Sequence, residues 1–289
     1  MDFSVWLRIL RRVRAEFRDD QLALVAAGVA FYWLLAIFPA LAATVSIAGV
    51  FGDPQAVTHA FGTYGGLVPP DVVELLHGQI SAVSAANTTQ VLEVGAVLGF
   101  GAALWAANNG VKGIVSGVNV AWDLPETRSF LSTNLTGFAL LVLGLGVASL
   151  ASLAFAALPM MSGLPGPAQV MVDGLMLARW PIVAFAMVAY LSVLYRVAPC
   201  RRAPPRLPIT PGAVAGTICF LLASAAFSAY VESFGTYNQT YGNLGGAVVL
   251  LLWFWVAALS VLCGAELDAE IEREFLADKL ETVPMHRDR

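Results

Sequence analysis

The chain has 289 residues, of which 58% are hydrophobic and only 12% charged, with a formal net charge of -4 at pH 7. A soluble globular chain carries roughly 25% charged residues, so the composition excludes an ordinary water-solvated domain and points to lipid as the main solvent. A nucleic-acid footprint needs a concentrated basic patch with interleaved aromatics, and the sequence has none.

In chain order, residues 1–20 come first. Phe3, Trp6, Leu10, Val13 and Phe17 recur at helical spacing, with arginines on the other face. This predicts a cytoplasmic amphipathic helix, lying on the membrane surface or packed under a helix bundle. The run 22–51 is uncharged and long enough to cross the ~30 Å hydrocarbon core. It outlasts a signal-peptide apolar region of about 7–15 residues and is read as a retained span, with Pro39 as a kink. Pro69-Pro70-Asp71 then opens a second amphipathic helix with Val72, Leu76, Ile80 and Val83, expected to cap the outer mouth.

The second span is 94–111, with Asn108, Asn109 and Lys112 toward its inner end. These three residues line a cytoplasmic vestibule, or Lys112 snorkels to the headgroups while the asparagines bond across helices. The third span is 135–158 and the fourth 170–195. In the fourth, Arg179 precedes a possible kink at Pro181. Arg179 is a buried anion contact if the helix starts at Val170, and interfacial if it starts near Leu175. Pro199 opens a proline-rich hinge before the fifth span, 210–231.

The sixth span, 244–265, has unlike ends. Tyr237, Tyr241 and Gly242 belong to an uncharged, hydrogen-bonding threshold at its outer end. Glu266 closes its inner end, where it carries a proton, pairs with an arginine, or begins a solvated acidic face with Asp268 and Glu270. Leu267, Ile271, Phe275 and Leu280 continue the helical spacing into a cytoplasmic tail, 266–289.

The expected fold class is therefore all-α: one integral membrane domain, 1–289, with six transmembrane helices and interfacial amphipathic helices. In lipid each backbone polar group must be satisfied within its own segment, which favours helices. Apart from Arg179 in span four, Lys and Arg fall before span one, between two and three, between four and five, and after six. By the positive-inside rule both termini are cytoplasmic. Gly95 and Gly99, Gly113 and Gly117, and Gly212 and Gly216 are small-xxx-small pairs that suit close helix packing. Cys200, Cys219 and Cys263 are not expected to form a disulfide. His59, His77 and His286 form no metal-ligand spacing, and no phosphate-cradling or nucleophile-elbow motif occurs. No cofactor and no enzymatic activity are expected.

Three segments carry a resemblance: LVAAGVAFYWLLAIFPAL in span one, LYRVAPCRRAPPRLPITPGAVAG around the hinge, and YGNLGGAVVLLLWFW with LCGAEL in span six. Together they resemble the YihY/BrkB family of bacterial inner-membrane proteins, over about residues 8–270. Trp33 and Asn243 are departures in otherwise family-like segments. The resemblance implies six helices, cytoplasmic termini and an inner-membrane location; an older ribonuclease label for such proteins finds no metal cluster here to support it. The expected function is gradient-driven transport or export of a small solute or lipid-like molecule. The alternative is a non-transporting scaffold in envelope integrity or in stress and serum resistance.

Overall fold

The computed structural model describes residues 3–51, 89–160, 167–201, 209–233 and 243–282. Tyr237, Tyr241, Gly242 and the expected outer helix beginning at Pro69 lie outside the described residues. Among the described residues every regular element is a helix: α1 Phe3–Asp19, α2 Leu22–Phe51, α3 Thr89–Ala121, α4 Phe130–Met160, α5 Pro167–Val197, α6 Pro211–Ser233 and α7 Asn243–Thr282.

Among the described residues five stretches are long and apolar enough to cross a membrane: Leu22–Ala40, Phe130–Ala151, Gly174–Val197, Pro211–Val231 and Gly245–Leu276. The helix carrying the expected second span, α3, is not among them. Its 33 residues reach roughly 50 Å at 1.5 Å per residue. Asn108, Asn109, Lys112 and Asn119 interrupt its apolar character. It packs extensively on α2 and also touches α4 and α7.

The N-terminal amphipathic helix forms, and it docks. Ile9 and Val13 are buried against Ile271 of α7, while Trp6, Leu7 and Leu10 stay exposed. Its turn into α2 is tight, with Gln21 in the left-handed region at φ 52°. The Gln21 carbonyl then accepts the Leu24 N–H at 2.8 Å and so starts α2.

Helix α7 is the central element. It touches α1, α2, α3 and α6 and runs unbroken for 40 residues. At 1.5 Å per residue that is roughly 60 Å, about twice the ~30 Å hydrocarbon thickness. Half of it therefore stands beyond any bilayer core, as the tail pattern predicts. Crossing α6 brings backbones close: a Cβ on Gly264 would stand 2.5 Å from the Gly212 carbonyl oxygen and from the Tyr195 hydroxyl. Only a residue without Cβ fits there, which is the close approach that small residues permit.

The buried core joins Leu22, Ala26 and Val29 of α2 to Val115 and Val118 of α3, Leu191 and Leu194 of α5, and Leu262 and Ala265 of α7. It lies toward the end where α1, the α3–α4 connection, the α5–α6 connection and the α7 extension meet. Helices α4 and α5 instead expose large apolar side chains such as Phe130, Leu145, Leu177 and Phe185. Such a surface suits lipid contact, since each helix there is apolar nearly all round.

Candidate functional site

At that shared end the α7 extension carries Glu266, Asp268, Glu270, Glu272 and Glu274 on alternate positions. Successive helical residues turn by 100°, so Glu266, Glu270 and Glu274 share one face while Asp268 and Glu272 share nearly the opposite one. Each stripe meets different elements.

The first stripe faces α1 and the start of α2. Arg8 and Arg12 each donate to Glu274 at 3.1 Å. Arg12 also lies 4.0 Å from Glu270. Arg273 ties α7 to the α3–α4 connection, donating to Asp123 Oδ2 at 2.6 Å and to the Ala121 carbonyl at 2.9 Å. Its guanidinium also donates to Glu270 Oε1.

The second stripe faces the interhelix connections. Glu272 Oε2 accepts from Trp122 Nε1 at 2.9 Å and from Arg201 Nη1 at 2.5 Å. Arg201 also donates to the Tyr195 carbonyl at 2.7 Å and sits 5.2 Å over the Trp122 ring. Asp268 Oδ1 accepts the Gly212 N–H at 2.6 Å, while Thr210 Oγ1 caps the same helix by accepting the Ala213 N–H at 3.2 Å. A carboxylate at a helix N-terminus meets orphan N–H groups and the positive dipole end.

Asn119 staples the connections together. Buried at the end of α3, it donates to Glu126 Oε2 at 3.0 Å and accepts the Cys200 N–H at 2.8 Å. The Cys200 thiol donates to Glu126 Oε1 at 3.0 Å. Burial pushes Glu126 up, but the Cys200 thiol, the Arg128 backbone N–H, the Arg128 charge and Asn119 outweigh it and hold the carboxyl below its ordinary value. Asp20 moves the other way: partial burial, then the neighbouring Asp123 and Glu16 charges, raise it.

Glu266 differs from all of these. It is fully buried at 0% exposure, and neither carboxylate oxygen has a hydrogen-bond partner among the described residues. Asp20, Arg273, Glu270 and Glu16 act on it electrostatically. Burying a carboxylate without compensation is costly, so this position is held by packing around a group that nothing in the described structure satisfies. The solvated acidic face that the sequence allows is not what forms. Asp268 and Glu270 are also buried, because the extension is wrapped by α1, α3 and α6.

The other expected positions are scattered. Lys112 does not reach away alone: its ammonium donates to Asn134 Oδ1 of α4 at 2.9 Å. Asn108 reaches the same oxygen at 3.4 Å, and Asn109 is half-buried on α3. Arg179 is half-buried on α5, twelve residues past the first residue of that helix, Pro167, or roughly 18 Å along it. Pro39 and Pro181 lie inside helices that continue past them, and Pro199 sits just after α5. Among the described residues no group of three or more His, Cys, Asp or Glu is placed to hold a metal ion.

Sequence reasoning missed Asn119, Trp122, Glu126, Asp268, Glu270 and Glu272 as members of one network. One signal was present: two i,i+4 carboxylate sets on a helix already expected to leave the membrane. Trp122 and Asn119 gave no local sign.

The virulence factor BrkB family model matches residues 13–286. The ribonuclease-like protein YfkH of Bacillus subtilis is 30% identical over 258 residues, covering 86% of this chain and 89% of that protein. The UPF0761 membrane protein PSHAa0171 of Pseudoalteromonas translucida is 27% identical over 286 residues, covering 94% and 87%. A UPF0761 membrane protein of Alkalilimnicola ehrlichii is 29% identical over 281 residues, covering 90% and 58%. No solved structure matches the chain. With its membrane-length apolar helices and a family match across nearly its full length, the chain is a membrane protein of the virulence factor BrkB family.

Proposed function

We propose that the chain is a non-enzymatic, gradient-driven transporter or exporter of a small solute or lipid-like molecule in the bacterial inner membrane. It crosses six times, with α3 as the sixth crossing and both termini cytoplasmic, so that the α7 network closes the inner end. The observation that carries this reading is Glu266. A carboxylate buried without a partner is expensive to hold, and in membrane proteins ionisable groups kept at such cost characteristically serve ion and substrate pathways. Glu266 is fully buried with both oxygens unpartnered, at the junction between the apolar and the charged halves of α7.

In this reading Glu266 takes up and releases the coupling proton. The groups facing it are Glu16 and Asp20 from the α1–α2 side, and Cys263, Glu270 and Arg273 along α7. Arg273 is shared with Glu270 and Asp123, which leaves Glu266 free to change its proton occupancy. The glycine crossing of α6 on α7 supplies a contact at which the helices can shift without repacking large side chains.

The test compares extracellular and intracellular solutes and lipids in cells lacking, carrying and overproducing the chain, with Glu266→Gln as a further strain. One compound moving in step with protein level, and ceasing to move in Glu266→Gln, is the expected result. If envelope resistance tracks the protein while every compound stays put, the scaffold alternative replaces transport.

A further inference from the structure

Two chain reversals meet the α7 extension near Glu266, and each carries a carboxylate. At the first, the Asp20 N–H donates to the Glu16 carbonyl at 2.8 Å and closes α1. Gln21 then turns the chain through the left-handed region at φ 52°, and Leu22, the first residue of α2, is buried at once. At the second, the Asp123 N–H donates to the Val120 carbonyl at 2.8 Å to close α3. Asp123 is itself left-handed at φ 52°, a conformation that aspartate tolerates better than most residues. Both side chains are therefore fixed by the backbone at the ends of helices.

The carboxylates around Glu266 are not equivalent. Arg273 holds Asp123 at 2.6 Å and also donates to Glu270, while Arg12 stands 4.0 Å from Glu270. A cation thus keeps each of those two ionised. Asp20 is in no ion pair among the described residues. Of the charged groups that act on Glu266, Asp20 acts most strongly and Glu16 least. Such interactions fade with distance, so Asp20 is the carboxylate best placed to exchange with it. Burial runs in the same order: the Asp123 side chain is 73% exposed, Asp20 is half-buried and Glu266 is sealed with both oxygens unpartnered. Part burial and the Asp123 and Glu16 charges raise Asp20, so it takes up a proton more readily than an open carboxylate does.

We propose that Asp20 is the relay residue through which Glu266 exchanges protons with water at the inner end. The O–H bond of protonated Asp20 breaks, and the proton forms an O–H bond on a Glu266 oxygen. The Asp20 carboxylate left behind is reprotonated from water, and release runs the same steps backwards. The groups facing Asp20 are Glu16 and Asp19 on α1, Asp123 on the α3–α4 connection, and Glu266 and Arg273 on α7. The inference rests on Glu266 as the coupling carboxylate and adds the group that connects it to solvent.

The experiment follows Glu266 itself, by infrared difference spectroscopy of the purified full chain in detergent after a photoreleased proton pulse. The protonated-carboxyl band that is missing in Glu266→Gln reports its occupancy. Asp20→Asn is expected to slow the rise of that band about a hundredfold, the low end of what a positioned proton-transfer group contributes. Asp20→Glu is expected to restore the native rate. Asn has nearly the shape of Asp, whereas Glu is larger, so slowing by the first and rescue by the second is not the pattern of a structural role. Asp19→Asn, which removes an exposed charge beside the same turn, is expected to change nothing. Proton flux in liposomes under an imposed pH gradient is expected to fall in Asp20→Asn and to stop in Glu266→Gln.

A band in Asp20→Asn that rises as fast as in the native chain overturns the relay, as does equal slowing in Asp19→Asn or no rescue by Asp20→Glu. A native chain with no Glu266 band that responds to protons overturns the relay and the coupling role together. Native liposomes that carry no protons, while the band still depends on Asp20, count against the transporter reading alone. Flux that stops in Glu266→Gln and is unchanged in Asp20→Asn counts against the relay alone.

Discussion

Arg201 and Arg8 are both ion-paired, and their surroundings give the two pairs different weights. The Arg201 side chain is only 10% exposed and Glu272 39%, and Arg201 also holds the Tyr195 carbonyl and stacks on Trp122. Hydrogen bonds to charged groups are worth about 1.5–3 kcal/mol, and Glu272, left behind, is exposed enough for water to offset part of the loss. Arg201→Ala is expected to cost close to that range in unfolding free energy. Arg8 is 56% exposed, and exposed pairs contribute roughly 0–1 kcal/mol. Arg8→Ala is expected to fall there, with chemical denaturation in detergent reading both. Asp20 supplies a test of sign. Its folded value is raised by burial and by Asp123 and Glu16, so the stability tied to its proton is present in acid and lost as pH rises through the folded value. Asp20→Asn is expected to be more stable than the native chain at neutral pH and indistinguishable from it below the ordinary carboxylate range. The partners at this scale were mostly illegible in the sequence. Trp122 and Glu272 are separated by 150 positions, and no local pattern reports that α7 folds back across the α3–α4 connection.

At the scale of elements, hydropathy marks the slab a helix crosses and says little about where the helix ends. Hydropathy puts the second span at 94–111, whereas α3 runs Thr89–Ala121. Its last nine residues, about two and a half turns, lie past Lys112, where polarity rises but nothing breaks the helix. The continuation of α7 was legible because Leu267, Ile271 and Phe275 keep the helical period after the apolar run stops. The two carboxylate stripes follow from the same period. Close packing was legible as small-residue pairs, but only the structure matches Gly212 with Gly264. Gly264→Ala would press a Cβ onto backbone, and overpacking of that kind costs about 1–3 kcal/mol. Gly146→Ala is the control: nothing lies within 4 Å of a Cβ there, and replacing a helical glycine by alanine gains up to about 1 kcal/mol. Thermal unfolding of the two variants is expected to move in opposite directions.

For the whole molecule, composition was sufficient to name lipid as the solvent, and the arginine distribution to propose an orientation. It was insufficient to separate a group that water satisfies from one that packing isolates, because Glu266, Asp268 and Glu270 read as a soluble helix face until α1, α3 and α6 close around them. Glu266 is where the account is most exposed. The purified chain in liposomes under an imposed pH gradient, with a trapped pH dye, should carry protons inward in the presence of native lipid and solute extract. Glu266→Gln, folded by the same unfolding midpoint, should leave the dye as still as it is in empty liposomes. Proton movement in Glu266→Gln equal to that of the native chain, or none in either, would contradict a transporter coupled through this carboxylate.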